Sequence, residues 1–188
     1  MKFLDEYYLA YGSNVSMLEM KMRCPNAKFV GLTKLPNNTL ICKGNNWGYL
    51  TTQEENGCSI DVAIYKVTQY DKERLDVYEG YPNLYHIKYV TIEHNGVKHK
   101  AFYYEMNRTI QAPYKGDIPL EELEGIVEPT YEIVIPYEIP AQSYIDRCYI
   151  GYKEVGIDVK QLVDACQTTM DKMFEDAENY AKEFLVEC

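Results

Sequence analysis

The stretch HIKYVTIEHNGVKHKAFYYEM, residues 86–106, constrains the fold more than any other. Two β-rich runs flank Asn95–Gly96, the pair favoured in a tight two-residue turn, so the segment reads as an antiparallel hairpin. The chain around it alternates irregularly between strands and helices. Residues 6–11 read as a short buried strand and 15–23 as a helix capped by Ser13 or Asn14. Strands over 27–35 and 38–43 are broken by Pro36 and the Asn37–Asn38 pair. CSIDVAIYKV (58–67) alternates Ile60, Val62 and Ile64 with Asp61, Ala63 and Tyr65, the period of a strand. TQYDKERLDVYEG (68–80) then reads as a short helix, with Thr68 as cap, Asp71 three residues on, and Gly80 and Pro82 as stops. A helix over 142–155 ends at Gly156, and 158–187 form one long helix. This order argues for an α+β domain, not a doubly wound parallel sheet.

Composition narrows the function classes. Hydrophobic residues make up 46% and charged residues 26% of 188 residues, the profile of a soluble globular protein. The net charge of −10 repels nucleic acid and anionic membranes. Acidic residues interrupt the apolar stretch that a signal peptide would need at the N-terminus, and no later run is long enough to span a bilayer. The expectation is a cytoplasmic chain with no nucleic-acid or membrane partner. Its six cysteines show no CxxC and no neighbouring His pair, so they read as free thiols with no metal.

Two stretches could carry chemistry. In YGSN, residues 11–14, a glycine follows a strand and precedes a helix. The first amides of a helix have no internal partners and suit an anion or a developing oxyanion. The loop matches neither the phosphate-loop nor the dinucleotide fingerprint, so no cofactor is implied. An ordinary capped turn would use the same residues. The second stretch, LDVYEGYPNLYH (75–86), puts Glu79 at a helix C-terminus among aromatic residues. There the helix dipole gives a carboxylate no help and partial desolvation raises its pKa. A solvent-exposed Glu near a helix end is the plain alternative.

Taken in order, YLAYGSN, then RLDVYEG about 65 residues on, then a Tyr and a hairpin resemble the gamma-glutamylcyclotransferase family. Further on, PAQSYIDRCYIG supplies Pro140, Tyr144 and Gly151 at the spacing of that family's Pro-Ser-x-x-Tyr segment, with Ala141 in place of the Ser. The resemblance covers residues 6–157. It implies a compact mixed β-barrel with flanking helices, to which the long C-terminal helix is added. It also implies cyclisation of a γ-glutamyl amine or peptide to 5-oxoproline, with release of the free amine and without cofactor or metal. Residue by residue, it places the acid/base on Glu79. The substrate-binding positions fall on Tyr11, Gly12, Ser13, Asn14, Val15, Tyr85 and Tyr144. The alternatives are a γ-glutamyl acyltransferase or tailoring enzyme on a specialised amine, and a non-catalytic small-molecule binding module.

Residues 1–157 therefore read as the catalytic domain and 158–188 as a helical extension. Within 107–140, five prolines (Pro113, Pro119, Pro129, Pro136 and Pro140) break any long regular element, leaving a short strand at YEIVI; the excursion at 107–139 reads as a lid or an inert insertion. On the last helix Val159, Val163, Cys166, Met170, Met173, Ala177, Tyr180 and Phe184 follow a heptad seam. That stripe would pack on the chain's own barrel or on a second copy, making a homodimer through 158–187.

Overall fold

The computed structural model describes residues 5–113 and 130–186. Its elements in chain order are β1 (Glu6–Ala10), a 3-10 turn (Ser13–Val15), α1 (Met17–Arg23), β2 (Lys28–Lys43), β3 (Tyr49–Val67), α2 (Gln69–Tyr78), β4 (Tyr85–His94), β5 (Val97–Met106), β6 (Thr109–Pro113), β7 (Thr130–Val134), α3 (Gln142–Val155) and α4 (Lys160–Val186). Five strands form one mixed sheet in the order β2-β3-β1-β5-β4, and β6 pairs with β7 apart from it. The α+β architecture with a long last helix is therefore present. The expected barrel is not closed: among the described residues the two edge strands, β2 and β4, share no ladder. They approach where His94 Cε1 lies 3.3 Å from the position a Cβ on Gly31 would take.

β1 sits at the centre, antiparallel to β3 and parallel to β5, with Tyr8 opposite both Tyr65 and Phe102. Its last residues are apolar because both faces of the sheet are covered there: Leu9 and Ala10, whose side chains point to opposite faces, are fully enclosed. The β4–β5 hairpin turns at Asn95 and Gly96, with φ of 52° and 74°, as the Asn-Gly pair dictates. Pro36 does not end β2. The strand runs through it with a register shift, Pro36 opposite Ser59 but Asn38 opposite Glu54. A proline is tolerated there because β2 is an edge strand and the ladder is already interrupted.

The helices are set by local chemistry. At the start of α2 the Thr68 hydroxyl accepts from the Asp71 amide at 3.2 Å, and the Asp71 carboxylate accepts from the Thr68 amide at 3.1 Å. Asp71 also accepts from the Asn26 amide, tying α2 to the segment after α1. α1 begins later than the sequence suggests. Ser16 is its cap, its hydroxyl accepting from the Glu19 amide, and residues 13–15 form a separate 3-10 turn. Gly156 closes α3 with φ 88°.

α4 docks on β2 through Leu162, Ala165 and Thr169, with Val159 and Cys166 of the heptad seam packed beside them. The Thr169 hydroxyl accepts from the Cys42 amide at 2.7 Å. Other seam residues, Val163, Met170, Met173 and Tyr180, stand exposed. Among the described residues no helix is long and apolar enough to cross a membrane.

Candidate active site

The YGSN loop leaves the central strand at the C-terminal end of β1, and neighbouring side chains hold its carbonyls. Tyr152 of α3 donates to the Tyr11 carbonyl at 2.7 Å and Tyr65 of β3 to the Val15 carbonyl at 2.9 Å. The Gly12 and Ser13 carbonyls accept from the amides of Val15 and Ser16. With these acceptors engaged by the protein, the amides of Gly12, Ser13 and Asn14 donate to no acceptor among the described residues. Amides left without an acceptor can serve a ligand. Two glycines permit the arrangement. A Cβ on Gly12 would stand 2.8 Å from the Tyr144 hydroxyl, and a Cβ on Gly151 would stand 2.7 Å from the Ser16 amide nitrogen. The second close approach brings α3 against the loop and so places Tyr144.

α2 delivers the carboxylate. Glu79 is its C-terminal cap, its amide bonded to the Leu75 carbonyl at 2.8 Å, and Gly80 with φ 63° turns the chain away. The Glu79 side chain enters a cavity of about 180 Å³ whose wall includes Gly12, Ser13 and Asn14. That volume is smaller than the usual site for a drug-sized ligand and suits an amino-acid-sized one. Asn14 donates through Nδ2 to Glu79 Oε1 at 2.8 Å and to the Tyr8 hydroxyl at 2.9 Å. Its Oδ1 accepts from the Arg23 guanidinium, which fixes which end of the amide faces the acid. Arg23 also donates to Ser13 Oγ at 3.1 Å, pairs with Glu19 and lies 3.9 Å from the Tyr78 ring centre.

Burial raises the Glu79 pKa to about 7, against the opposing pull of Arg23 and the Asn14 hydrogen bond. Enclosure pushes the phenols of Tyr8, Tyr11, Tyr85 and Tyr144 well above their ordinary range, so they remain donors at neutral pH. Tyr85 and Tyr144 meet on one residue: the Tyr85 hydroxyl donates to the Leu50 carbonyl at 3.4 Å and the Tyr144 hydroxyl accepts from the Leu50 amide at 3.3 Å. Both bonds are long, and a ligand can replace them.

Tyr11, Gly12, Ser13, Asn14, Glu79, Tyr85 and Tyr144 thus line one cavity. Val15 does not: its amide is spent on the Gly12 carbonyl at 3.0 Å, which closes the 3-10 turn. Trp47 stays outside the wall and stacks on Tyr49, which in turn packs on Tyr144. Of the 107–139 excursion read as a lid or an inert insertion, residues 114–129 lie outside the described ones, and its flanks form the β6–β7 pair. Sequence reasoning missed Tyr8, Tyr49, Tyr78 and Tyr104 in the wall, and Arg23 behind it. The i,i+4 pair Glu19–Arg23 was the one available signal, and it pointed only to helix stability. Among the described residues no three His, Cys, Asp or Glu side chains gather as metal ligands would.

A small cavity lined by a carboxyl with a pKa of about 7 and by a loop whose amides lack an acceptor can support acid–base chemistry on a carbonyl compound. The gamma-glutamyl cyclotransferase, AIG2-like family model matches residues 8–124, more than half of the chain. The chain belongs to that family. No curated protein sequence matches it. A solved structure described as a gamma-glutamyl cyclotransferase is similar at 19% identity, with 83% of each chain covered and a TM-score of 0.61. An uncharacterized protein from Homo sapiens is similar at 20% identity over 83% of each chain, with a TM-score of 0.60. At such identities the likeness speaks for the fold.

Proposed function

We propose that this chain cyclises γ-glutamyl amines or peptides to 5-oxoproline, releasing the amine, with Glu79 as general acid and base. One observation carries the reading: Glu79 lines a cavity of about 180 Å³ together with Gly12, Ser13 and Asn14, whose amides donate to no acceptor among the described residues.

The substrate brings its own nucleophile, since its α-amino group can reach its γ-carbonyl and close a five-membered ring. The protein then needs only to hold a folded conformer, a proximity effect, and to move protons. Tyr85 and Tyr144 orient the glutamyl part by hydrogen bonds. The α-ammonium must lose a proton before attack. Handing it to Glu79, at about 7, costs about 3.7 kcal/mol less than handing it to a carboxylate of ordinary pKa near 4.3. The same carboxyl, once protonated, donates to the departing nitrogen. Negative charge on the carbonyl oxygen meets the loop amides, each good donor contributing about 3–4 kcal/mol to the transition state.

The test is release of 5-oxoproline from a panel of γ-glutamyl amino acids, γ-glutamyl-lysine, γ-glutamyl peptides and larger γ-glutamyl amines. Turnover by wild type and its loss in Glu79→Gln supports the reading. Failure to cyclise any member overturns it.

A further inference from the structure

The two halves of α4 are supported differently. Leu162, Ala165 and Thr169 seat the first half on the domain, whereas from Met173 to Glu183 every residue is exposed. An apolar seam runs along both halves on the side turned away from the domain. Val163, Met170, Met173 and Tyr180 follow it at heptad spacing, and Phe174 stands beside it. Phe174 and Tyr180 are 66% and 72% exposed. Most of a helix's stability in a protein comes from packing its apolar face, and a heptad seam is the shape that another helix fills.

The order of residues along the seam identifies that other helix. Val163 and Tyr180 lie equally far from the midpoint between Asp171 and Lys172, and so do Met170 and Met173. Two copies of α4 running in opposite directions about this midpoint set each Val163 against Tyr180 of the other copy, and each Met170 against Met173. Cys166, half turned to its own domain, meets only the small Ala177. Helical side chains lean towards the N-terminus, so the two Phe174 rings lean together across the two-fold axis. Between Val163 and Tyr180 no seam position carries a charge.

Charge selects the same direction. In the first half of α4 Lys160 and Lys172 balance Asp164 and Asp171, but in the second Glu175, Asp176, Glu178 and Glu183 outnumber Lys182. An antiparallel pair lays each acidic half along the neutral half of the other copy and opposes the two helix dipoles. A parallel pair would lay the acidic halves together. We propose that this face is the interface of a homodimer, formed by two antiparallel α4 helices on a two-fold axis beside Asp171 and Lys172. The cavity around Glu79 includes no residue of α4, so each copy keeps a whole site and the inference is independent of the cyclase reading.

Sedimentation velocity of the full chain over a concentration series is the test. Wild type should sediment as a dimer, and association should tighten as salt rises, because each copy carries a net charge of −10. Met170→Glu and Phe174→Glu each put a charge into the seam and should weaken association at least about a hundredfold. Circular dichroism should show both variants folded, since both side chains are exposed on the single chain. Direction is read from disulfide cross-linking by copper phenanthroline, with wild type on the same gel. A mixture of Val163→Cys and Tyr180→Cys should cross-link. Val163→Cys alone should not, since its two copies stand about 25 Å apart along the axis. Wild type that stays monomeric at its highest soluble concentration overturns the proposal and leaves the seam to a different partner. A dimer that survives both glutamate variants, or a Val163→Cys chain that cross-links to itself, also overturns it.

Discussion

The side-chain amide of Asn14 donates to the carboxylate of Glu79 at 2.8 Å, joining residues 65 positions apart in the chain. The bond favours the ionised acid while burial favours the neutral one, and burial prevails, leaving a pKa of about 7. A group poised between two forms at neutral pH is the requirement for an acid that must also serve as a base.

Glu79→Gln should lower kcat by at least about a hundredfold while a γ-glutamyl ligand still binds. The same change should stabilise the fold at alkaline pH. The folded-state pKa of Glu79 lies above its unfolded value, so between about pH 4.5 and 7 the native state holds the extra proton and wild-type stability falls as pH rises. The loss is no more than about 3 kcal/mol. Thermal melts of both proteins at pH 5 and pH 8 check this. The variant should gain relative to wild type at pH 8 only, and an equal offset at both pH values would contradict it.

The pH profile of kcat/KM should carry an acidic limb with an apparent pKa near 7, falling about tenfold per unit below it, because deprotonation of the substrate needs ionised Glu79. Asn14→Ala removes a contact that lowers that pKa, so its limb should move to higher pH. An unmoved limb accompanied by a simple loss of rate would assign Asn14 to binding alone.

Gly12 and Tyr144 form a steric pair, since a Cβ on Gly12 would lie 2.8 Å from the Tyr144 hydroxyl. Gly12→Ala should displace the ring, costing about 1–3 kcal/mol of stability and at least about tenfold in kcat/KM. Removing the oxygen relieves the clash, so Gly12→Ala with Tyr144→Phe should be less destabilised than the sum of the two single variants. Urea unfolding of all four proteins in the cycle measures that coupling.

What could be read in advance was what local chemistry decides. Asn95–Gly96 and the Thr68–Asp71 box act within a few residues, and the structure holds both. YGSN and Glu79 could be named as a pair, but the Arg23 guanidinium that holds the Asn14 side-chain oxygen and so turns its amide to Glu79 could not. Choosing Ser13 or Asn14 as the cap of α1 failed for a related reason. Both are good caps, but Arg23 and the cavity engage their side chains, and Ser16 takes the role. On α4 the heptad seam meets the domain only in part: Val159 and Cys166 pack against the core, while Val163, Met170, Met173 and Tyr180 stand exposed. Leu162, Ala165 and Thr169 sit one position before Val163, Cys166 and Met170, a turn of about 100° on the helix.

That rotation follows from one buried polar group. Cys42 lies in β2 beneath α4, and its amide donates to the Thr169 hydroxyl at 2.7 Å, which itself donates to the Ala165 carbonyl at 2.7 Å. A methyl-bearing seam residue in that place would leave the amide buried and unbonded, so Thr169 turns inward and Met170 outward. Thr169→Val keeps the shape and removes the acceptor. It should therefore cost about 1–3 kcal/mol, the penalty of an orphaned buried donor, while Thr169→Ser loses mainly a methyl group. Urea unfolding ranks the two. A Val variant as stable as wild type would show that apolar packing alone orients the helix. The cavity around Glu79 includes no residue of α4, so 5-oxoproline release at low temperature should survive in both variants.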